Sequence, residues 1–132
     1  MIRPEPIVLV VGQCFETKND YDMARKTLSR EGIEMLRAAD QHGAALRICE
    51  ADPAVVLIDL TLKDGSPLAV ADFCNYRRPD TRVILLRGGN LMADGSLFAH
   101  VGNAAALVSD QIPTGDLMAL VAFHAGRRLT PA

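Results

Sequence analysis

The chain has 132 residues, of which 49% are hydrophobic and 23% are charged, a balance typical of a globular domain and unlike a disordered chain. Its formal net charge of -2, without any basic block, gives no electrostatic basis for binding nucleic acid or an anionic membrane. The N-terminus carries no signal-peptide pattern and no apolar run approaches the length of a membrane span, so we expect one cytoplasmic domain over residues 1–132.

The first half of the chain alternates apolar runs with amphipathic stretches. Residues 7–11 predict a central strand, and a helix of about three turns follows, with Asn19 or Asp20 as its N-cap and Gly32 at its end. Residues 33–37 predict a weak edge strand. Asp40 can cap a second helix, which Asp52 and Pro53 end. The expected inward face of this helix is Ala45, Ile48 and Cys49.

Residues 55–65 join a buried strand to a turn and carry a carboxylate between them. Four large apolar residues precede Asp59, and this pattern is typical of a strand buried on both faces of a parallel sheet. Asp59 therefore lies at the carboxyl end of the strand, where open α/β sheets build their sites. After the turn, Ser66 as N-cap and Pro67 at the first helical position begin a third helix. Its predicted inward residues are Val70, Phe73 and Cys74.

The second half predicts two further strands, at residues 83–86 and 105–108. The loop at residues 87–90 reads as a simple turn, although its backbone amides could bind an anion. A short fourth helix is expected around Leu97, Phe98 and Val101, and a fifth runs from near Leu117 to about Arg128. Five strands alternating with five helices predict an α/β, doubly wound parallel sheet with right-handed crossovers.

The motif Asp59-Leu60-x-Leu62-x-Asp64-Gly65, with Ala38-Ala39-Asp40 after the second strand, resembles the receiver domain of two-component response regulators. The segment from Arg78 to Leu86 and Gly102-Asn103-Ala104 also fall where that family has similar segments. The resemblance covers nearly the whole chain and implies a (βα)5 flavodoxin-like fold with strand order 2-1-3-4-5. It also implies that Asp59 stands where the family's aspartate accepts a phosphoryl group from a histidine kinase.

The family's supporting residues are replaced in this chain. Phosphoryl transfer to a carboxylate needs its negative charge offset, usually by Mg²⁺ and a lysine. Where the resemblance implies a pair of acidic metal ligands, a hydroxyl switch, an aromatic switch and a lysine, this chain has other residues. In that order they are Gly12 and Gln13, Arg87, Ala106, and Ser109. Asp59 is thus either a phosphoacceptor or an inherited aspartate held by backbone donors and a neighbouring cation.

Two features leave alternatives open. Glu16, and less plausibly Asp20, are displaced candidates to hold a metal with Asp59. Because the third and fourth strands are neighbours in the implied sheet, Arg87 can form a bidentate pair with Asp59 that replaces metal and lysine. The alternative for Arg87 is a solvated surface arginine.

Three cysteines and three histidines complete the candidate groups: Cys14, Cys49 and Cys74, with His42, His100 and His124. They share no metal-ligand spacing, so we expect reduced thiols, and histidines at the surface or its boundary. No activating base accompanies Ser109 or Cys14, so hydrolase chemistry is not supported.

The favoured function is an atypical receiver (a pseudo-receiver): a non-enzymatic signalling module without cofactors that contacts a histidine kinase or a downstream effector. The alternative is a receiver phosphorylated on Asp59 with Mg²⁺. The family also uses the face of the fourth helix, fifth strand and fifth helix for contacts, and a homodimer could form there. Its candidate residues here are Leu91, Met92, Phe98, Met118 and Phe123, and the alternative is that most of them belong to the core.

Overall fold

A computed structural model describes residues 5–88 and 104–126. In chain order the elements are β1 (Ile7–Val11), α1 (Lys18–Arg30), β2 (Glu34–Ala38), α2 (Gln41–Ala51), β3 (Val55–Asp59), α3 (Pro67–Arg77), β4 (Arg82–Arg87), β5 (Ala104–Ser109) and α4 (Thr114–Ala125). The strands form one parallel sheet in the order β2-β1-β3-β4-β5. This order and the edge position of β2 confirm the predicted doubly wound fold.

The three central strands form the core of the protein. Every residue of β3 is buried, as are the four central residues of β4 and the last four of β1. Successive side chains of a strand point to opposite faces of its sheet. One face, which includes Leu57 and Leu86, packs against α1 and α4, and the other, which includes Ile58 and Leu85, packs against α2 and α3. Both faces are covered, which is why the strands are continuous apolar runs.

Two of the three predicted helix starts are confirmed. The Asp40 carboxylate accepts a hydrogen bond from the Gly43 amide at 2.7 Å, and the Ser66 hydroxyl accepts one from the Ala69 amide at 3.1 Å. The first helix was predicted to begin too late. Its N-cap is Thr17, whose hydroxyl accepts from the Asp20 amide, so Asn19 and Asp20 lie inside the first turn.

Other sequence predictions about the helices need correction. In α2 the buried residues are Ala44 and Ile48, whereas Cys49 is exposed, because the helix is rotated relative to the predicted face. In α3 the predicted inward residues are confirmed, since Val70 and Cys74 are buried and Phe73 packs against the core, and Ala71 is buried in addition. The predicted fourth helix and the residues 89–103 lie outside the described residues. Among those that are described, no helix combines the length and apolarity needed to cross a membrane.

The amino end of β3 is joined to the rest of the protein by side-chain hydrogen bonds. The buried Thr81 hydroxyl, just before β4, donates to the Pro53 carbonyl at 2.6 Å. Arg78 donates to the carbonyls of Ile48 and Cys49, at 3.2 and 2.9 Å, and its Nε lies 3.6 Å from an Asp52 carboxylate oxygen. These contacts fix the end of α2 against the start of β4.

Helix α4 buries two residues: His124, which was predicted at the surface or its boundary, and Met118, which was a candidate for the contact face. His124 is only 8% exposed, and its Nδ1 is buried with no hydrogen-bond partner among the described residues. Burial lowers the pKa of the His124 imidazole below its usual 6.5, and the positive charge of Arg82 lowers it further. Met118 is 1% exposed and belongs to the core, because it faces the sheet beside Leu117 and Val121. His42 is exposed, as predicted.

Candidate functional site

The candidate site lies where β1 and β3 end side by side at the carboxyl edge of the sheet. Asp59 is the last residue of β3, lies opposite Leu86 of β4, and is only 7% exposed. The next amide, that of Leu60, donates to the Leu86 carbonyl at 2.9 Å, so the backbone on both sides of Asp59 is held in the sheet. A buried carboxylate requires hydrogen-bond donors, because its desolvation is costly.

Thr61 supplies both hydrogen bonds that Asp59 receives from the described residues. The Thr61 amide donates to Asp59 Oδ1 at 2.8 Å, and the Thr61 hydroxyl donates to the same oxygen at 2.6 Å. Hydrogen bonds to a carboxylate are stronger than those between neutral groups. The turn after β3 therefore holds Asp59 through a residue only two positions further along the chain.

Gly12 packs against the other side of Asp59. Its φ of +84° lies in the left-handed region, and its amide donates to the Ala38 carbonyl at 2.9 Å. A Cβ added to Gly12 would lie 3.1 Å from Asp59 Cβ, 3.2 Å from Leu62 Cδ1 and 3.4 Å from Asp59 Oδ2. Both the backbone angle and the space at this position therefore favour glycine. Gln13 follows and is exposed.

Cys14 lies beneath the site. Its Sγ contacts the Val11 carbonyl of β1 at 3.4 Å and the Leu57 carbonyl of β3 at 3.8 Å. Burial raises the pKa of the Cys14 thiol far above its usual value, and the negative charge of Asp59 raises it further. Both effects favour the protonated thiol over the thiolate.

The predicted pair between Arg87 and Asp59 is not formed. Arg78–Asp52 is the ion pair found within 4.0 Å among residues 5–88 and 104–126. The reason is the register of the sheet: Asp59 lies opposite Leu86, so Arg87 is one residue further along β4 and belongs to the opposite face. The prediction that β3 and β4 end side by side is correct, but it left out that successive residues of a strand face opposite sides of the sheet.

The two remaining altered positions lie on β5. Ser109 lies opposite Arg87, and its hydroxyl accepts a hydrogen bond from the Gln111 amide at 3.1 Å, so it shapes the turn after the strand. Ala106 lies opposite Ile84 and is partly buried against the face that packs on α1 and α4. Among the described residues, neither Ser109 nor Ala106 forms a hydrogen bond with Asp59. Their assignment as altered support positions stays a prediction from the resemblance.

Comparisons with known proteins identify this architecture. Solved structures that it matches include a CheY-like response regulator receiver domain from Methanospirillum hungatei, with 19% identity over 94% of this chain and 96% of that one, at a TM-score of 0.76. The receiver domain of NtrX from Brucella abortus matches with 24% identity over 92% and 99% of the two chains, at a TM-score of 0.70. The chain has the fold of a response regulator receiver domain.

A further match comes from sequence. The photosynthetic apparatus regulatory protein RegA of Cereibacter sphaeroides is 31% identical over 78 residues, which are 58% of this chain and 42% of RegA. The chain therefore matches less than half the length of that curated relative. No protein-family model matches the chain. The resemblance predicted from the motif around Asp59 is confirmed for the fold.

The residues at this receiver-type site do not fit a magnesium ion. Mg²⁺ is held by oxygen ligands that include carboxylates. At the positions of the acidic pair, Gly12 has no side chain and Gln13 has no carboxylate. The described part of the chain contains no group of three histidine, cysteine, aspartate or glutamate side chains that could hold a metal. Glu16 and Asp20 therefore do not complete a site with Asp59.

Sequence reasoning missed Thr61, which hydrogen-bonds Asp59, and Gly88, which lies against Thr61. A Cβ added to the buried Gly88 would lie only 2.6 Å from Thr61 Cγ2, so glycine at this position leaves room for the threonine methyl group. The available signal was a threonine two positions after a strand-ending aspartate, a spacing at which hydroxyl and carboxylate groups form local turn hydrogen bonds. Nothing in the sequence pattern linked Gly88 to Thr61.

Proposed function

We propose that this chain is an atypical receiver domain in two-component-type signal transduction, which acts mainly through protein contacts and is phosphorylated weakly or not at all. The observation that carries this proposal is the pair of hydrogen bonds from Thr61 to Asp59 Oδ1. They hold the carboxylate with neutral donors, so its geometry does not depend on an added cation. In this role the chain is not an enzyme, and it uses no cofactor.

The geometry at Gly12 supports the same proposal. A receiver that transfers phosphoryl groups must offset the negative charges of aspartate and phosphate. Here a left-handed glycine packs against Asp59 where the family resemblance implies an acidic residue. Any residue with a Cβ would cost about 1–2 kcal/mol at this backbone φ. Restoring the metal ligand is therefore opposed by the local structure.

We propose that its partners are a histidine kinase or a downstream effector in the cytoplasm. RegA, which matches over part of its length, is a regulatory protein by name. On α4, Phe123 is 54% exposed and can contribute to a contact face, whereas the core residue Met118 cannot. The other predicted members of this face, Leu91, Met92 and Phe98, lie outside the described residues. Homodimerisation through this face stays a proposal, which light scattering of wild type and Phe123→Glu can test.

The test of phosphorylation uses acetyl phosphate as the donor. The wild-type chain and Asp59→Asn are incubated with acetyl phosphate and Mg²⁺, and intact masses are measured over time together with those of an established receiver domain. We expect the established receiver to gain one phosphoryl group and both forms of this chain to remain unmodified. Modification of the wild type that is lost in Asp59→Asn would contradict the proposal.

The second candidate function is that of a phosphoacceptor receiver, and one observation favours it. None of the described residues donates a hydrogen bond to Asp59 Oδ2, so this carboxylate oxygen keeps its lone pairs. In this case the chain must recruit a cation by a route other than the family's acidic pair. This candidate predicts that acetyl phosphate modifies the wild type and not Asp59→Asn, which is the result that would contradict the first proposal. The acetyl phosphate experiment therefore separates the two candidate functions.

A further inference from the structure

A cleft of about 530 Å³ opens beside the candidate site, between the loop after β1, the first half of α1 and the edge strand β2. Its floor includes Val10, and its walls include Phe15, Tyr21, Arg25 and Arg37. Small-molecule sites in proteins are typically clefts of about 300–1,000 Å³. In open α/β sheets ligands bind outside the carboxyl ends of the strands, and this cleft is lined by the loop that leaves the carboxyl end of β1. The cleft has the size and position of a ligand site.

The charges around the cleft favour an anion. Three cations line it, Lys18, Arg25 and Arg37, against two acids, Glu16 and Asp22. None of these five forms an ion pair within 4.0 Å in the described part of the chain, where Arg78–Asp52 is the pair found. The protonated Cys14 thiol adds no negative charge. Arginines that are not already paired can bind a carboxylate or phosphate through two parallel hydrogen bonds.

The aromatic side chains of the cleft favour a planar group. The rings of Phe15 and Tyr21 pack edge to face, with centroids 5.9 Å apart and planes at 80°. The Arg37 guanidinium lies 5.8 Å from the Tyr21 ring centroid, within cation–π range. Ring faces and a guanidinium plane are surfaces on which a flat ligand can stack. A single ligand can therefore place an anionic group near Arg25 or Arg37 and a flat ring near Tyr21.

The cleft is also connected to Asp59. Gly12 lines the cleft and packs directly against Asp59. Cys14 also lines the cleft, and its Sγ contacts the carbonyls of Val11 at the end of β1 and of Leu57 in the middle of β3. A molecule that displaces the loop at residues 12–14 must therefore change the surroundings of Asp59.

We propose that this cleft binds a small organic anion, a carboxylate or a phosphate, that carries a planar ring. This inference rests on the proposed function, because the bound molecule supplies an input to the receiver fold where phosphorylation is weak or absent. The loop at residues 12–14 transmits binding to Asp59 and Thr61.

The test is a titration of the ¹⁵N-labelled full chain without Mg²⁺, followed by amide chemical shifts. The probes are two ring-bearing anions, indole-3-acetate and adenosine monophosphate, each with its neutral counterpart, indole-3-acetamide or adenosine. Acetate and inorganic phosphate serve as anions without a ring. We expect at least one ring-bearing anion to shift the amides of Gln13, Cys14 and Tyr21 saturably, with smaller shifts at Asp59 and Thr61. The carboxylate and phosphate probes also distinguish the two sources of negative charge.

Variants identify the site. We expect Arg37→Gln to weaken binding about tenfold, the loss of one charge-assisted contact. Arg47→Gln, an exposed arginine on α2 outside the cleft, is the matched control and should leave binding unchanged. Dispersed amide spectra of both variants establish that they are folded, and Arg37→Lys separates the loss of charge from the loss of the planar group.

The proposal would be overturned if neither ring-bearing anion gave saturable shifts, or if the neutral counterparts, plain phosphate or acetate bound as tightly as the ring-bearing anions. It would also be overturned if Arg47→Gln weakened binding as much as Arg37→Gln. Shifts confined to the cleft without change at Asp59 and Thr61 would overturn the transmission step. The same titration is repeated with Asp59→Asn, which cannot be phosphorylated at residue 59 but should still bind the ligand. Ligand binding is therefore tested independently of phosphorylation.

Discussion

A threonine hydroxyl donates a hydrogen bond near each end of strand β3, but the two hydrogen bonds have different roles. At the amino end, buried Thr81 bonds Pro53, 28 residues away in sequence. At the carboxyl end, exposed Thr61 bonds Asp59, two residues away. The first bond joins distant parts of the chain, and the second orients one carboxylate within a turn. Removal of the Thr81 hydroxyl should therefore destabilise the protein more than removal of the Thr61 hydroxyl.

The largest effect is expected at the carboxyl end, from Gly12→Asp, which restores an acidic residue beside Asp59. Its left-handed backbone should cost about 1–2 kcal/mol, and crowding against Asp59 and Leu62 about 1–3 kcal/mol more. Urea unfolding measures the total. Gly12→Ala separates backbone strain from added charge, and a Gly12→Asp protein as stable as the wild type would show that the glycine is not required.

At the amino end, Thr81→Val should reduce the free energy of unfolding by about 1–3 kcal/mol, because the buried Pro53 carbonyl loses its donor. Urea unfolding again provides the measurement, with Thr27→Val as a control, since the Thr27 hydroxyl also donates to a backbone carbonyl but is exposed. An equal loss of unfolding free energy in Thr81→Val and Thr27→Val would show that the buried hydrogen bond contributes no more stability than the exposed one.

Thr61→Ala should cost less, about 1 kcal/mol, because the threonine is exposed although its acceptor is a carboxylate. Gly88→Ala should have a similar effect by displacing the Thr61 methyl group, whereas Thr61→Ser keeps the hydroxyl and removes that methyl. A double-mutant cycle should therefore show that Thr61→Ser reduces the cost of Gly88→Ala. Strict additivity would show that Gly88 and Thr61 are not coupled.

The smallest effect concerns pH. His124 has a lowered pKa in the folded protein, so below about pH 6.5 the unfolded chain binds a proton that the folded chain does not. His124 therefore makes the protein less stable as the pH falls through 6.5, until the folded imidazole is itself protonated. Thermal unfolding between pH 5 and 8 should show this slope in wild type and a weaker one in His124→Gln. His42→Gln, at an exposed position, should leave it unchanged.

The fold could be predicted from the sequence because its signals are local. Apolar runs gave β1, β3 and β4, and Asp40 and Ser66 gave two helix starts. Strand order came from the family resemblance.

The details of the site depend on contacts that no local pattern encodes. The predicted Arg87 pair failed because strand register decides which face a side chain occupies. The burial of His124 and Met118 depends on how α4 is rotated against the sheet, which no local pattern determines. The role of Gly88 depends on its distance from Thr61, which lies 27 positions earlier in the sequence but next to Gly88 in space.

The central claim is that Thr61 and Gly12, without a metal, define the surroundings of Asp59. It is tested most directly by titrating the ¹⁵N-labelled chain with Mg²⁺ and beryllofluoride, a phosphoryl mimic, and following the amides of Gly12, Asp59 and Thr61. We predict no saturable change at these amides in wild type or in Asp59→Asn. Saturable shifts in the wild type that disappear in Asp59→Asn would contradict the claim and establish a working phosphoacceptor.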